Sequence, residues 1–163
     1  MLARRIPAER VIAAGLAVMS AGFATMAFTG LGAVVAGTWA SPWQLRVTVD
    51  GRLVHEGTTV FAGIGNGATI GGGTRMFPRA RLDDGRAEVV VAASRYGRVG
   101  RAAFGWALRE GRHARLPWVK TARGRCIEVS GEPVAGNADG ELWDAAADWQ
   151  IEVLPRALRL RRP

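Results

Sequence analysis

A chain of 163 residues with 48% hydrophobic and 22% charged side chains holds one ordinary domain with a real core, and this balance excludes wholesale disorder. The net charge of +8 comes almost wholly from arginine, since Lys120 is the only lysine; it favours anionic partners (nucleic acid, phosphorylated ligands or an acidic membrane surface) unless it only reflects GC-rich coding. The lone Cys126 excludes an intramolecular disulfide and a cysteine zinc site, while His55 and His113 lie far apart without metal-ligand spacing, so metal-hydrolase and triad chemistries have no support.

Residues 1–42 are predicted to be an apolar helical segment. No charged side chain occurs in 11–45, a run rich in Ala, Gly, Val and Met and preceded by Arg4, Arg5 and Arg10. That length suffices for a membrane helix, and the basic residues before it would hold the amino terminus in the cytoplasm. A single crossing would then leave the remainder of the chain away from cytoplasmic ATP. A signal peptide pairs a basic start with an apolar run in the same way. The third reading is one or two small-residue helices packed on the domain or against a partner. Gly15, Gly22, Gly30, Gly32 and Gly37 weaken any single continuous helix in water. The three readings stay open at this point.

Residues 43–163 are predicted to be β-rich. The stretch 44–50 alternates, with Leu45, Val47 and Val49 on one face, and Asp50-Gly51 reads as a hairpin turn into a strand at 52–56. A strand at 58–64 leads into a glycine-dense loop, Gly65-Asn66-Gly67 through Gly71-Gly72-Gly73, suited to tight turns and close approach of backbone. Asp83-Asp84-Gly85 is a turn, and 87–92 is a buried strand. The helix expected over 96–110 has Val99, Ala103 and Trp106 at helical spacing and Gly111 to end it. Strands follow at 125–129 and 150–154, the last turning at Pro155-Arg156 into 157–161. Short strands at close intervals with one inserted helix imply a mainly β, sandwich-like domain. Most of the six tryptophans are expected in the core, with one or two free to sit at an apolar rim.

Several signals stand in a fixed order. Asn66-Gly67 is followed by Gly71-Gly72-Gly73, then Pro78 and Ala80, then Asp84-Gly85 before a strand. A helix with Gly111-Arg112-His113 comes next, then Asn137-Ala138-Asp139-Gly140-Glu141, and finally Glu152-Val153-Leu154-Pro155 with Ala157-Leu158. This ordered set, over about residues 44–163, resembles the carboxyl-terminal domain of the bacterial diacylglycerol kinases, relatives of the sphingosine and ceramide kinases. The resemblance implies a β-rich domain that closes over an α/β domain carrying a GGDGT-type nucleotide loop. Neither GGDGT nor a Walker-type loop occurs here, and Gly71-Gly72-Gly73-Thr74 lacks the aspartate. The implied molecule is the substrate side of a lipid kinase, completed by a separate nucleotide-binding domain or chain. It would be cytoplasmic and membrane-associated, with ATP as co-substrate, magnesium as cofactor and a diacylglycerol-like lipid at a membrane surface. The competing reading is a non-catalytic, membrane-attached lipid-binding or regulatory module. Nucleic acid is not an expected partner, because no recognition-helix, RRM or OB signature accompanies the arginines.

Phosphoryl transfer needs a placed hydroxyl, a base for its proton and a cation to offset phosphate charge. The resemblance makes Glu141 the base, improved if a cleft desolvates it, with Asp139 orienting the loop or coupling to it electrostatically. If the run is extended, both side chains point the same way. An ordinary Asp-Gly turn with solvated carboxylates is the plain alternative. Asp84, with the main-chain carbonyls of Arg81 and Arg86, is the implied magnesium site; hard oxygen donors suit that ion. A plain metal-free Asp-Gly turn competes here too. Asn66, Gly71 and Gly72 would line the cleft on its nucleotide side.

Overall fold

A computed structural model describes residues 16–17, 41–70, 73–138, 141–155 and 157. Strand β1 is Leu16–Ala17, β2 Trp43–Val49 and β3 Arg52–Gly65; β4 is Ala87–Ala93, helix α1 Gly97–Arg109, β5 Val119–Gly124, β6 Cys126–Ala138 and β7 Glu141–Glu152. A single 3-10 turn, His113–Arg115, follows the helix. Within the predicted apolar helical segment, Leu16–Ala17 is a strand and 41–42 have no regular structure; its other residues, and the predicted strand at 157–161 beyond Ala157, lie outside the described residues.

The β2–β3 turn is the one the sequence announces. Asp50 and Gly51 take φ of 49° and 75°, the paired left-handed conformations of a tight two-residue hairpin, which Asp and Gly adopt most cheaply. Beyond it the two strands predicted at 52–56 and 58–64 are one. β3 runs through Gly57, pairing with β2 as far as Trp43↔Thr59 and with β4 from Thr59↔Ala93 onward, with a register shift between Thr59 and Phe61. One 14-residue strand thus serves both halves of the fold. The other departures lie after the helix. β5 was not anticipated, β6 continues nine residues past its predicted end at 129, and the residues predicted as a short strand at 150–154 are mostly the end of the 12-residue β7.

Among the described residues, all pairings of the seven strands are antiparallel. β2 lies between β3 and β6, and β4 between β3 and β5; β7 pairs along β6, whose opposite edge takes β2 and, at its end, β1. Only Arg125 separates β5, at one end of this order, from β6. The sheet must therefore curl back on itself. Asp50 fastens the corner: its carboxylate accepts the N–H groups of Arg125 and Cys126, each at 2.9 Å, and its own N–H donates to the Cys126 carbonyl at 2.8 Å. Those bonds hold the Asp50 carboxyl below the usual carboxylate range. Gly124 is required at this corner, because a Cβ would stand 2.3 Å from Val49 Cγ1 and 2.6 Å from Asp50 Oδ2.

Curling gives the sheet two cores. Leu45, Val47 and Val49 meet Ile64, Val89, Val91, Ile127, Val129 and Ile151 between the facing halves, which makes the domain sandwich-like. Outside, Val60, Phe61, Val90 and Ala92 are covered by Phe104 and Leu108 of α1 and by Met76 and Phe77. β4 is apolar at almost every position because both of its faces are buried. The helix lies where its spacing placed it, with Gly111 ending it at φ 68°. Its buried side is a different one, however. Gly100, Phe104 and Leu108 face inward, while Val99 and Trp106 are 77% and 51% exposed.

Candidate functional site

Glu141 opens β7 at the tip of the long β6–β7 hairpin, opposite Ala138, and is exposed. Asp139, with Gly140, lies outside the described residues, as does the question of whether its side chain shares Glu141's direction. The hairpin reaches its tip by bending: its register shifts between Ser130 and Val134 and again between Val134 and Gly136. Trp149 fills the inside of that bend. A Cβ on Gly136 would stand 2.9 Å from its indole, whose N–H donates to the Ala146 carbonyl at 3.2 Å, and Trp143 stacks 6.0 Å away. β1 pairs with Asn137 and Ala138 and also lies against β3, which ties the tip to the rest of the sheet.

Asn66 follows directly on β3. Its amide oxygen is buried without a hydrogen-bond partner, a polar group held ready for a donor. The glycines beside it have a structural explanation first. Phe77 lies fully buried across the end of β3, and a Cβ on Gly65 would come within 2.3 Å of its ring. Gly71 and Gly72 lie outside the described residues; the loop that carries them is closed by mutual backbone bonds between Ile70 and Thr74, at 2.9 and 3.1 Å.

One carboxylate near Asn66 escaped sequence reasoning. Glu88 of β4, opposite Gly65 on β3 and Arg123 on β5, is fully buried. One oxygen accepts the Arg79 N–H at 2.5 Å and the other has no partner. Burial pushes this carboxyl above the ordinary range, although the Arg79 N–H and the charges of Arg79 and Arg123 oppose it. The available signal was a single acid inside the apolar run AEVVVAA. His113 is the complementary case: fully buried, with Nε2 2.9 Å from the Met76 carbonyl and Nδ1 unpartnered, it is held below its usual value by burial. It fastens the helix end to the glycine loop.

The turn carrying Asp84 adjoins this region through Arg123, which lies opposite Glu88. Oδ1 accepts the Arg86 N–H at 3.0 Å, and Oδ2 is paired with the Arg123 guanidinium. Arg81 pairs with Asp83 at 3.3 Å. Among the described residues no three His, Cys, Asp or Glu side chains converge. One carboxylate with neighbouring carbonyls fits magnesium, which keeps several waters. The fit requires that Arg123 give up Oδ2, since a guanidinium already sits on that oxygen. A Cβ on Gly85 would meet Pro155, just past the end of β7, so this turn lies by the opposite end of that strand from Glu141. The structure therefore brings Asn66, Glu88 and, through Arg123, Asp84 into one region, and leaves Glu141 at the other end of the hairpin from Asp84.

The YegS C-terminal NAD kinase beta sandwich-like domain family matches residues 13–162. Among curated proteins, a "Probable lipid kinase YegS-like" of Stenotrophomonas maltophilia is 37% identical over 110 residues, which is 66% of this chain and 35% of that protein. Its namesake in Pseudomonas aeruginosa strain PAO1 is 33% identical over 117 residues, with the same shares. The chain thus spans about a third of the length of these relatives. A diacylglycerol kinase structure from Bacillus anthracis str. Sterne superposes with a TM-score of 0.65 at 23% identity, over 87% of this chain and 49% of that one. That likeness concerns the fold.

Proposed function

This chain belongs to the YegS C-terminal NAD kinase beta sandwich-like domain family, and on that premise we propose that it supplies the substrate side of a diacylglycerol kinase-like lipid kinase. In this reading it moves the γ-phosphate of ATP to the hydroxyl of a diacylglycerol-like lipid at a membrane surface, together with a nucleotide-binding domain that carries the GGDGT-type loop. The supporting observation is the position of Glu141, an exposed carboxylate on the first residue of a strand whose tip is braced by Trp149 and β1.

From there the carboxylate would accept the proton of the acceptor hydroxyl as its oxygen bonds to the γ-phosphorus and ADP departs. The cover that excludes water comes from the lipid and the nucleotide domain. The Asn66 amide oxygen would take a donor from the nucleotide side, with Gly71 and Gly72 beside it, and Asp139 would orient the loop before Glu141. Asp84 and the carbonyls of Arg81 and Arg86 would hold magnesium, whose charge would stabilise that turn.

The test is transfer of labelled γ-phosphate from ATP to diacylglycerol in mixed micelles, with a nucleotide-binding domain added. Glu141→Gln should lower the rate by about 10²–10⁴-fold, the usual share of a general base. Equal rates would remove Glu141 from the chemistry. A second reading is a non-catalytic, membrane-attached lipid-binding or regulatory module. It predicts that Glu141→Gln leaves function intact and that no added domain restores transfer.

A further inference from the structure

Helix α1 turns the wrong stripe to water for an ordinary surface helix. Val99 and Trp106 are seven residues, about two turns, apart and stand together on the outer face, 77% and 51% exposed. Tyr96, 61% exposed, extends the patch at the start of the helix. Its backbone is in the left-handed region at φ 61°, a conformation a bulky side chain adopts at a cost. Trp118 holds the ring there, edge-on at 5.2 Å.

The charge around this patch has one sign. Residues 95–115 hold six arginines against one acid, Glu110, which Arg112 already pairs at 3.4 Å. Two of the arginines are part of the patch: the Arg95 guanidinium lies 5.4 Å from the Tyr96 ring centre and that of Arg109 5.6 Å from the Trp106 ring centre. Aromatic rings and an aliphatic side chain framed by arginine match the boundary of an anionic bilayer, where rings sit at headgroup depth and guanidinium groups meet phosphate. A nucleic-acid backbone would satisfy the arginines but leave Val99 without a partner. A polar protein surface would leave the arginine excess unmatched.

We propose that the outer face of α1, through Tyr96, Val99 and Trp106 with Arg95 and Arg109, docks this domain on an anionic lipid surface. The inference rests on the lipid-kinase reading for its purpose, since a domain acting on a lipid must be held at the bilayer. It is tested without nucleotide, so the two can fail separately.

The experiment is co-sedimentation of the full chain with vesicles of phosphatidylcholine alone and of phosphatidylcholine and phosphatidylglycerol in equal parts. The mixed vesicles should bind about tenfold more tightly, with the preference falling as salt is added. Val99→Ser with Trp106→Ser should weaken that binding by about tenfold. Arg95→Gln with Arg109→Gln should abolish the preference for phosphatidylglycerol, whereas Leu53→Ser, exposed on β3, should change nothing. All five positions are on the surface, and an unchanged thermal midpoint checks that each variant is folded. The proposal is overturned if the native chain ignores both vesicles, if it shows no preference for the anionic ones, or if the Val99/Trp106 variant binds like the native chain because another segment carries the contact. Displacement from vesicles by short duplex DNA or by the nucleotide domain would overturn it in favour of that occupant. Phosphate transfer to detergent-dispersed diacylglycerol should survive Val99→Ser with Trp106→Ser and be lost in Glu141→Gln.

Discussion

At the scale of single residues, Glu88 and His113 are buried groups that respond to pH with opposite signs. Burial raises the Glu88 carboxyl, so on raising the pH the unfolded chain ionises first and native stability declines until the folded pKa is passed. The native protein should therefore lose stability relative to Glu88→Gln as pH climbs from acid towards neutral. Burial lowers His113, so its contribution is complete above the ordinary histidine pKa and is lost as pH falls through it. Relative to His113→Gln the native protein should gain stability with rising pH. Urea midpoints at a series of pH values measure both differences, and slopes of the same sign would refute the pair. Asp84 supports a further prediction. Replacing Arg123 by Ala frees Oδ2, so millimolar magnesium should raise the thermal midpoint of the variant more than that of the native chain. Two unresponsive proteins would remove the metal from this turn.

At the scale of elements, close packing of Phe77 on β3 predicts that Gly65→Ala costs about 1–3 kcal/mol by urea unfolding, because the added methyl overlaps the buried ring. Phe77→Leu should recover part of that loss, since it removes the atoms in the way. The same element shows which features are legible in a sequence. β2 with its Asp50-Gly51 turn, β4 and the ends of α1 could be read because each rests on local chemistry: alternation, a left-handed turn, a closing glycine. β5, VKTARG, carries no apolar run, and β7, ELWDAAADWQIE, is rich in helix-forming alanine. Both are strands because neighbours in the sheet pair with them, and that partnership is invisible along the chain. β6 is interrupted in sequence by Gly131, Pro133 and Gly136, which produce bends within it. The helix misleads differently, since the spacing of Val99 and Trp106 is helical whether that stripe faces core or solvent. Glu141 and Asp84 could be nominated from motifs alone. Glu88 and Arg123 become noticeable only when the fold brings β3, β4 and β5 together.

At the scale of the whole molecule, closure depends on the corner that Asp50 fastens. Asp50→Ala removes the acceptor of two backbone N–H groups and puts alanine in a left-handed conformation, which together should cost about 2 kcal/mol. Asp50→Asn keeps an acceptor and tolerates that conformation, so its urea midpoint should stay near the native one at neutral pH. It should also lack the part of the acid transition that comes from Asp50, whose contribution is present above the ordinary carboxylate range and lost as pH falls through the lowered folded value. The corner has a consequence in time as well. The hairpins β2–β3 and β6–β7 pair neighbours in the chain and can form early, but joining them brings together residues such as Thr48 and Glu128, 80 positions apart. Closing a loop of that length is entropically costly and is rewarded only once β6 docks beside β2. Refolding should therefore be slow for a domain of this size, with its barrier set by the meeting of two preformed hairpins.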